Sequence, residues 1–315
     1  MNRMNEQFNE SIISFQKFRY DIFLNNSRLQ IMIKALKLWL LIPLLSITSS
    51  LYASELQQKV TQDPIKIVNL ANTDGTGLVA KLPKLSAEER KRLYSNSKKS
   101  CNDECVAPFG TVLGTANKAI AYSNCNSECL VAEYSFLNLK TSEITNHKKF
   151  PKDENLHYVG LTYQCVEYAR KWWMLNKGIT FGDIGSAFEI IYLTEGKHIY
   201  SKESFPLARS LNGSASRAPK VGDLVIYSAD RSSVDWMHGH VAVVVAVDLK
   251  EGSVSLAEEN YNNLPWQDPE QFARKIQLFE VSGRYTLIDV AVNTNKNATG
   301  AQISGWIYPK KGYAN

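Results

Sequence analysis

The pattern of apolar and polar positions changes character once along the chain, near Ala107. Residues 54–106 are polar and lysine-rich, with the capping box Ser86-Ala87-Glu88-Glu89 opening a short helix, and they read as a linker or stalk. From Ala107 to about Lys310, short apolar runs alternate with turn residues. Val166, Ala169, Trp172, Trp173 and Leu175 recur near helical spacing and predict a helix from Gln164 to Asn176. A second helix is expected near Ser186–Leu193. Runs rich in Val and Ile predict strands at Asp223–Tyr227, His240–Val247 and Ser253–Glu258, with turns at 230–233 and 250–252. Asp268-Pro269 has the form of an N-cap and first residue, and so predicts one more helix start. A single cysteine-bearing helix followed by several short strands gives an α+β domain.

The pattern before residue 54 is different. The stretch from Met32 reads MIKALKLWLLIPLLSITSSLYA: two lysines, an apolar run from Leu38 to Ile47 containing Pro43, then small polar residues up to Ala53. These are the charged, apolar and cleavage-site regions of a secretory signal, and the run is short of the roughly 20 apolar residues that span a membrane. An uncleaved membrane anchor is the rival. The 31 residues ahead of Met32 would make an unusually long charged region, so Met32 is the expected translation start. The expected organisation is an extension and signal over 1–53, a linker over 54–106, the main domain over 107–310 and a tail over 311–315. The expected location is periplasmic or extracellular, with membrane contact only through the export signal.

Charge alters this picture little. Lys and Arg number 36 against 31 Asp and Glu, and removing residues 1–53 leaves 30 against 28 without a basic block. No nucleic-acid partner is expected. With 44% hydrophobic and 21% charged residues, the composition argues against a disordered, fibrous or multi-span membrane protein. The cysteines matter more. Cys101, Cys105, Cys125 and Cys129 form two CxxxC units, CNDEC and CNSEC, while Cys165 stands apart. In an oxidising compartment the four can close two disulfides in any of three connectivities, leaving Cys165 as a free thiol. Four-thiolate zinc is the alternative, although structural zinc more often uses two-residue spacers.

Three places carry candidate chemistry. YQCVEYAR puts Cys165 in the first turn of the predicted helix, where unsatisfied N–H groups and the positive dipole end favour a thiolate. An isolated cysteine is otherwise a small buried apolar residue. MHGHVA places His240 at the mouth of an apolar strand that has little use for an imidazole. LAEEN ends the next strand; if the two strands pair, Glu258 or Asn260 can orient the His240 ring, while Glu259 points to solvent. A cysteine, a histidine and then a carboxylate or amide make a kit of nucleophile, base and orienter. His238 reads as a bystander, and His147, His157 and His198 as surface residues.

These blocks resemble the CHAP amidases, the cysteine- and histidine-dependent amidohydrolases and peptidases. The likeness is to the amidase domains of the glutathionylspermidine synthetase/amidase and trypanothione synthetase type. It runs through APFGTVLG, YQCVEYARKWW, FGDIGSAF, RAPKVGDL, GHVAVVV and AEEN to Gly305-Trp306, over roughly residues 107–310. The resemblance implies a papain-like fold with the nucleophile at a helix N-terminus packed on an antiparallel sheet. It implies Cys165 as nucleophile, His240 as base and Glu258 as the carboxylate that orients it. Asn260 matches an asparagine of the same site, and Gln164 a residue associated with oxyanion stabilisation. Arg170 could hold a substrate carboxylate or make a structural ion pair. No metal or organic cofactor is implied. The implied substrate is a glutathione–polyamine amide; export points to peptidoglycan peptides as the alternative. A non-catalytic binding module on the same scaffold is a third reading, opposed by the intact Cys165, His240 and Glu258 set. The CxxxC units lack the spacing of a thioredoxin-like redox site.

Overall fold

His240–Asp248 is the longest of the described strands, and its first five residues are buried on both faces. Such a strand needs neighbours on both edges and covering layers on both sides. The computed structural model describes residues 66–69, 73–74, 78–81, 86–88, 91, 101, 104–126, 129–231, 233, 235–291 and 302–312. These fall in the unit Ile65–Asn315; the other unit, Met1–Pro64, lies outside the described residues, and with it the expected signal segment and Met32 start.

In chain order the described strands are β1 (Lys66–Asn69), β2 (Leu78–Lys81), β3 (Val112–Ala116), β4 (Ala119–Tyr122), β5 (Tyr134–Asn138), β6 (Ile144–His147), β7 (Leu156–Leu161) and β8 (Ile179–Phe181). They continue as β9 (Glu195–His198), β10 (Ser204–Leu211), β11 (Leu224–Tyr227), β12 (His240–Asp248), β13 (Ser253–Ala257), β14 (Arg274–Val281), β15 (Arg284–Ile288) and β16 (Ile303–Pro309). Nine form one antiparallel sheet in the order β15-β14-β13-β12-β11-β16-β10-β9-β8. The remainder form the pairs β1-β2 and β3-β4 and the three-stranded β6-β5-β7. Helix α1 (Cys165–Lys177) lies against β12, β8 and β7 and ends at Gly178, whose left-handed φ of 64° suits glycine. The domain is therefore sheet-rich α+β. One core layer joins Tyr168, Ala169, Trp172 and Trp173 of α1 to Val241 and Val243 of β12. The alternate residues of β12, Ala242 and Val244, point into a second layer with Val254, Leu256 and Trp306.

The predicted helix and three predicted strands fall within a residue or so of the observed ones. Two expectations change. The element near Ser186–Leu193 is a 3-10 helix, Ala187–Tyr192, opened by a Ser186/Glu189 capping box. Asp268-Pro269 starts no helix: the Asp268 carbonyl accepts from Gln271 and Phe272 N–H, Asp268 pairs with Phe272 as an isolated bridge, and the chain enters β14 at Arg274. The dipeptide does open a turn, but that turn reverses the chain instead of propagating as a helix.

Within the stretch read as a linker, Ala87, Glu88 and Lys91 are helical and β1 pairs with β2. Asp74 fastens this stretch to the sheet. Its Oδ2 accepts from Ser210 Oγ at 2.9 Å, Ser216 N at 3.1 Å and Arg217 N at 2.9 Å.

Candidate active site

Cys165 is the first residue of α1, with Gln164 in extended conformation as its N-cap. Tyr163, just before, has a φ of 58°, a left-handed conformation costly for an aromatic residue. Its ring is held between Phe109 and Tyr122, each with centroids 4.9 Å away, and its hydroxyl accepts from Asn146 Nδ2 at 3.2 Å. The helix is fixed behind it, where Trp173 Nε1 donates to the Gly222 carbonyl at 2.8 Å. Cys165 is buried at the wall of a cleft of about 690 Å³ that also reaches Gln164, His240, Glu258 and Asn260.

His240 opens β12 opposite Tyr227 on β11. The preceding Gly239 has φ 63°, and a Cβ there would lie 2.5 Å from the Tyr227 carbonyl oxygen, so glycine is needed in GHVA. Tyr227, Trp236 and Tyr261 surround the imidazole. Nε2 meets Glu258 Oε2 at 2.8 Å, and the ring also hydrogen-bonds Cys165. Burial pushes the His240 pKa down, but the bonds to Cys165 and Glu258 outweigh it and raise it to about 9. Burial likewise pushes Glu258 up, yet Arg274 and His240 prevail and hold it at about 2.

Arg274 is the residue that sequence reasoning missed. Its Nε donates to Glu258 Oε1 at 2.5 Å, its Nη2 to Glu258 Oε2 at 3.3 Å and to Tyr227 Oη at 3.1 Å, and its Nη1 to Asp289. Tyr227 Oη donates to Asp289 Oδ2 at 2.8 Å, and Tyr261 lies 4.0 Å beneath the guanidinium. A signal was present: β14 alternates buried and exposed residues, with Arg274 in the buried phase beside Ile276 and Leu278. An arginine on the apolar face of a strand needs buried partners.

Asn260 does not reach His240. Its φ of 55° breaks the extended run after β13, and its Nδ2 instead donates to Gln164 Oε1 at 2.6 Å. Glu259 is not solvated as expected. It is buried, its Oε1 accepting from Lys171 Nζ at 2.9 Å and from Tyr122 N at 2.8 Å; Lys171 also reaches Glu167 Oε2 at 3.2 Å. Burial, followed by the Glu167 charge, pushes the Glu259 carboxyl well above the usual range, while Lys171 opposes it. A Glu259 carboxyl pushed that way sits as the neutral acid beside the Lys171–Glu167 ion pair.

Arg170 lines the cleft, but its guanidinium is buried. It donates to the carbonyls of Phe181, Val159 and Gly182 at 3.2, 2.9 and 2.7 Å, with Asp183 Oδ1 at 3.4 Å. His238 also lines the cleft, its Nδ1 2.7 Å from Ser186 Oγ, and burial lowers its pKa. The four CxxxC cysteines are disulfides, Cys101–Cys129 and Cys105–Cys125, which sets the zinc alternative aside; Cys165 is free.

A family model for the CHAP domain matches residues 156–260, which include Cys165, His240 and Glu258. Over 202 residues the chain is 33% identical to the bifunctional glutathionylspermidine synthetase/amidase of Escherichia coli (strain K12), covering 64% of this chain and 29% of that protein. Trypanothione synthetase of Crithidia fasciculata is 31% identical over 192 residues, 60% of this chain and 26% of its own length. The chain thus spans less than a third of the curated relatives it matches.

Proposed function

Starting from the CHAP domain at residues 156–260, we propose that this chain is a cysteine amidohydrolase with Cys165 as nucleophile, His240 as general base and acid, and Glu258 as the orienting carboxylate. The observation that carries this reading is the buried chain of hydrogen bonds from Cys165 through His240 to Glu258, opening on a cleft. As in papain-like enzymes, the nucleophile stands at a helix N-terminus against an antiparallel sheet. The Cys165 sulfur attacks the amide carbonyl carbon, and the Cys165 backbone N–H and the free Gln164 Nε2 hydrogen stabilise the oxyanion. His240 gives its proton to the departing amine. Water, deprotonated by His240, then hydrolyses the thioester.

The substrate proposed is a glutathionylspermidine-type amide, split into a thiol peptide and a polyamine. The E. coli relative is named as a glutathionylspermidine amidase, and the cleft suits a cationic leaving group. Its exposed charged side chains include Asp183, whose Oδ1 is 3.4 Å from Arg170 Nη2, and Asp235, whereas Arg170 and Arg274 are themselves buried in bonds to protein. Export through residues 32–53 belongs to the same proposal, and the two disulfides support an oxidising compartment.

Incubating the oxidised protein and its Cys165→Ala variant with glutathionylspermidine, with products followed by mass spectrometry, tests the reading. Glutathione and spermidine should appear only with the wild type. No release by a protein whose Cys165 still reacts rapidly with iodoacetamide would sink the polyamine substrate and direct the assay to wall peptides.

A further inference from the structure

A closed ring of side-chain amides joins the disulfide region to the reaction site. Asn124 Nδ2 donates to Asn260 Oδ1 at 2.9 Å and to the Cys129 carbonyl at 3.3 Å. Asn260 Nδ2 donates to Gln164 Oε1 at 2.6 Å, and Gln164 Nε2 returns to the Cys129 carbonyl at 3.0 Å. Every bond runs from an N–H to an oxygen; flipping Asn124 would set oxygen against two oxygens, so the orientation is determined. Gln164 has one carbonyl oxygen and two amide hydrogens. The ring uses the oxygen and one hydrogen, and leaves the second hydrogen for an oxygen bound beside Cys165. Without the Cys129 acceptor, nothing in the ring fixes which way that amide faces.

The Cys129 carbonyl lies outside any strand or helix. Its residue is tied covalently to Cys101, and Cys125, at φ 77°, is tied to Cys105. Asn124 is wholly buried, its backbone N–H donating to Asn263 Oδ1 at 3.0 Å. None of these residues belongs to the Cys165–His240–Glu258–Arg274 chain. The site thus has two separately supported halves: one holds the His240 imidazole beside Cys165, the other aims the oxyanion donor.

We propose that the two disulfides and Asn124 are positioning elements of the reaction: through the Cys129 carbonyl they aim Gln164 and Asn260, so turnover depends on the oxidised bridges while thiol reactivity does not. The inference rests on the amidase reading. A dithiol reductant would deliver two electrons and two protons per bridge, closing to its own disulfide and leaving two thiols, and so would quiet the enzyme without touching Cys165.

The test uses the oxidised full chain, Asn124→Asp, and the double variant Cys101→Ser/Cys129→Ser. Steady-state kinetics are measured with glutathionylspermidine, and Cys165 alkylation by iodoacetamide is timed alongside. Asn124→Asp keeps shape and both bridges but removes the amide donor. Misaiming an oxyanion donor predicts kcat lower by about 10- to 100-fold with KM within about threefold. The alkylation rate should stay within about twofold of wild type. The double variant should behave alike, and if it fails to fold, Asn124→Asp decides. Unchanged kcat in Asn124→Asp, or equal losses of turnover and alkylation, overturns the inference. No turnover of glutathionylspermidine by the wild type itself overturns the substrate reading on which this inference rests, and the inference with it.

Discussion

Arg274 grips both oxygens of Glu258, its Nε donating to Oε1 at 2.5 Å and its Nη2 to Oε2 at 3.3 Å, the oxygen that His240 Nε2 meets at 2.8 Å. The carboxylate that orients the imidazole is thus itself oriented and kept charged. Its pKa, held at about 2, contributes stability that is present above the ordinary carboxylate value and lost as pH falls through about 2. In Arg274→Met the loss should begin at higher pH, and two buried carboxylates are left short of a partner. We expect about 3–5 kcal/mol of destabilisation at pH 7, read by urea unfolding between pH 3 and 7. Unchanged stability would mean that Arg274 is not the counter-charge.

His240 has the opposite sign. Raised to about 9, it contributes stability that is present below its ordinary value of 6.5 and lost as pH rises through about 9. Glu258→Gln removes the carboxylate at Nε2 and should draw the alkaline edge of Cys165 alkylation down by about one pH unit or more. An edge that stays in place would show that Glu258 does not govern the imidazole.

The Glu167–Lys171–Glu259 trio makes two matched substitutions diverge. Glu259→Gln reproduces a protonated carboxyl, its amide able to donate to Glu167, and should cost under about 1 kcal/mol. Lys171→Met strands buried carboxyls and should cost about 3–5 kcal/mol. Thermal unfolding of the pair checks this; equal effects would refute a neutral Glu259.

Asp74→Ala removes an acceptor serving Ser210, Ser216 and Arg217. We expect about 1–3 kcal/mol of destabilisation, with faster proteolytic cleavage ahead of Ala107. Cleavage at the wild-type rate would mean that the clasp does not hold this stretch.

Much of the site can be read from one sequence because its main parts lie at element ends. Cys165 opens a helix with clear periodicity, His240 opens an apolar strand, and Glu258 follows the strand paired with it. What strict alternation hides is the behaviour of the chain just past a strand. The left-handed turn at Asn260 sends that side chain to Gln164, and Glu259, next to it, goes inward to Lys171 rather than to water. Arg274, Tyr227 and Asp289 come together only through sheet order, which local patterning does not encode. The bridge connectivity is likewise hidden from sequence reading: four cysteines in two like units carry no label of partner.

The left-handed Tyr163 gives the site a tension of its own. A conformation of this kind costs about 1–3 kcal/mol, and here it is held down by the rings of Phe109 and Tyr122 and by Asn146. Gln164 and Cys165 follow directly, so relaxation at Tyr163 would swing both away from their partners. An exposed phenylalanine, more than fifty positions upstream and outside the cleft lining, therefore braces the backbone that carries Cys165.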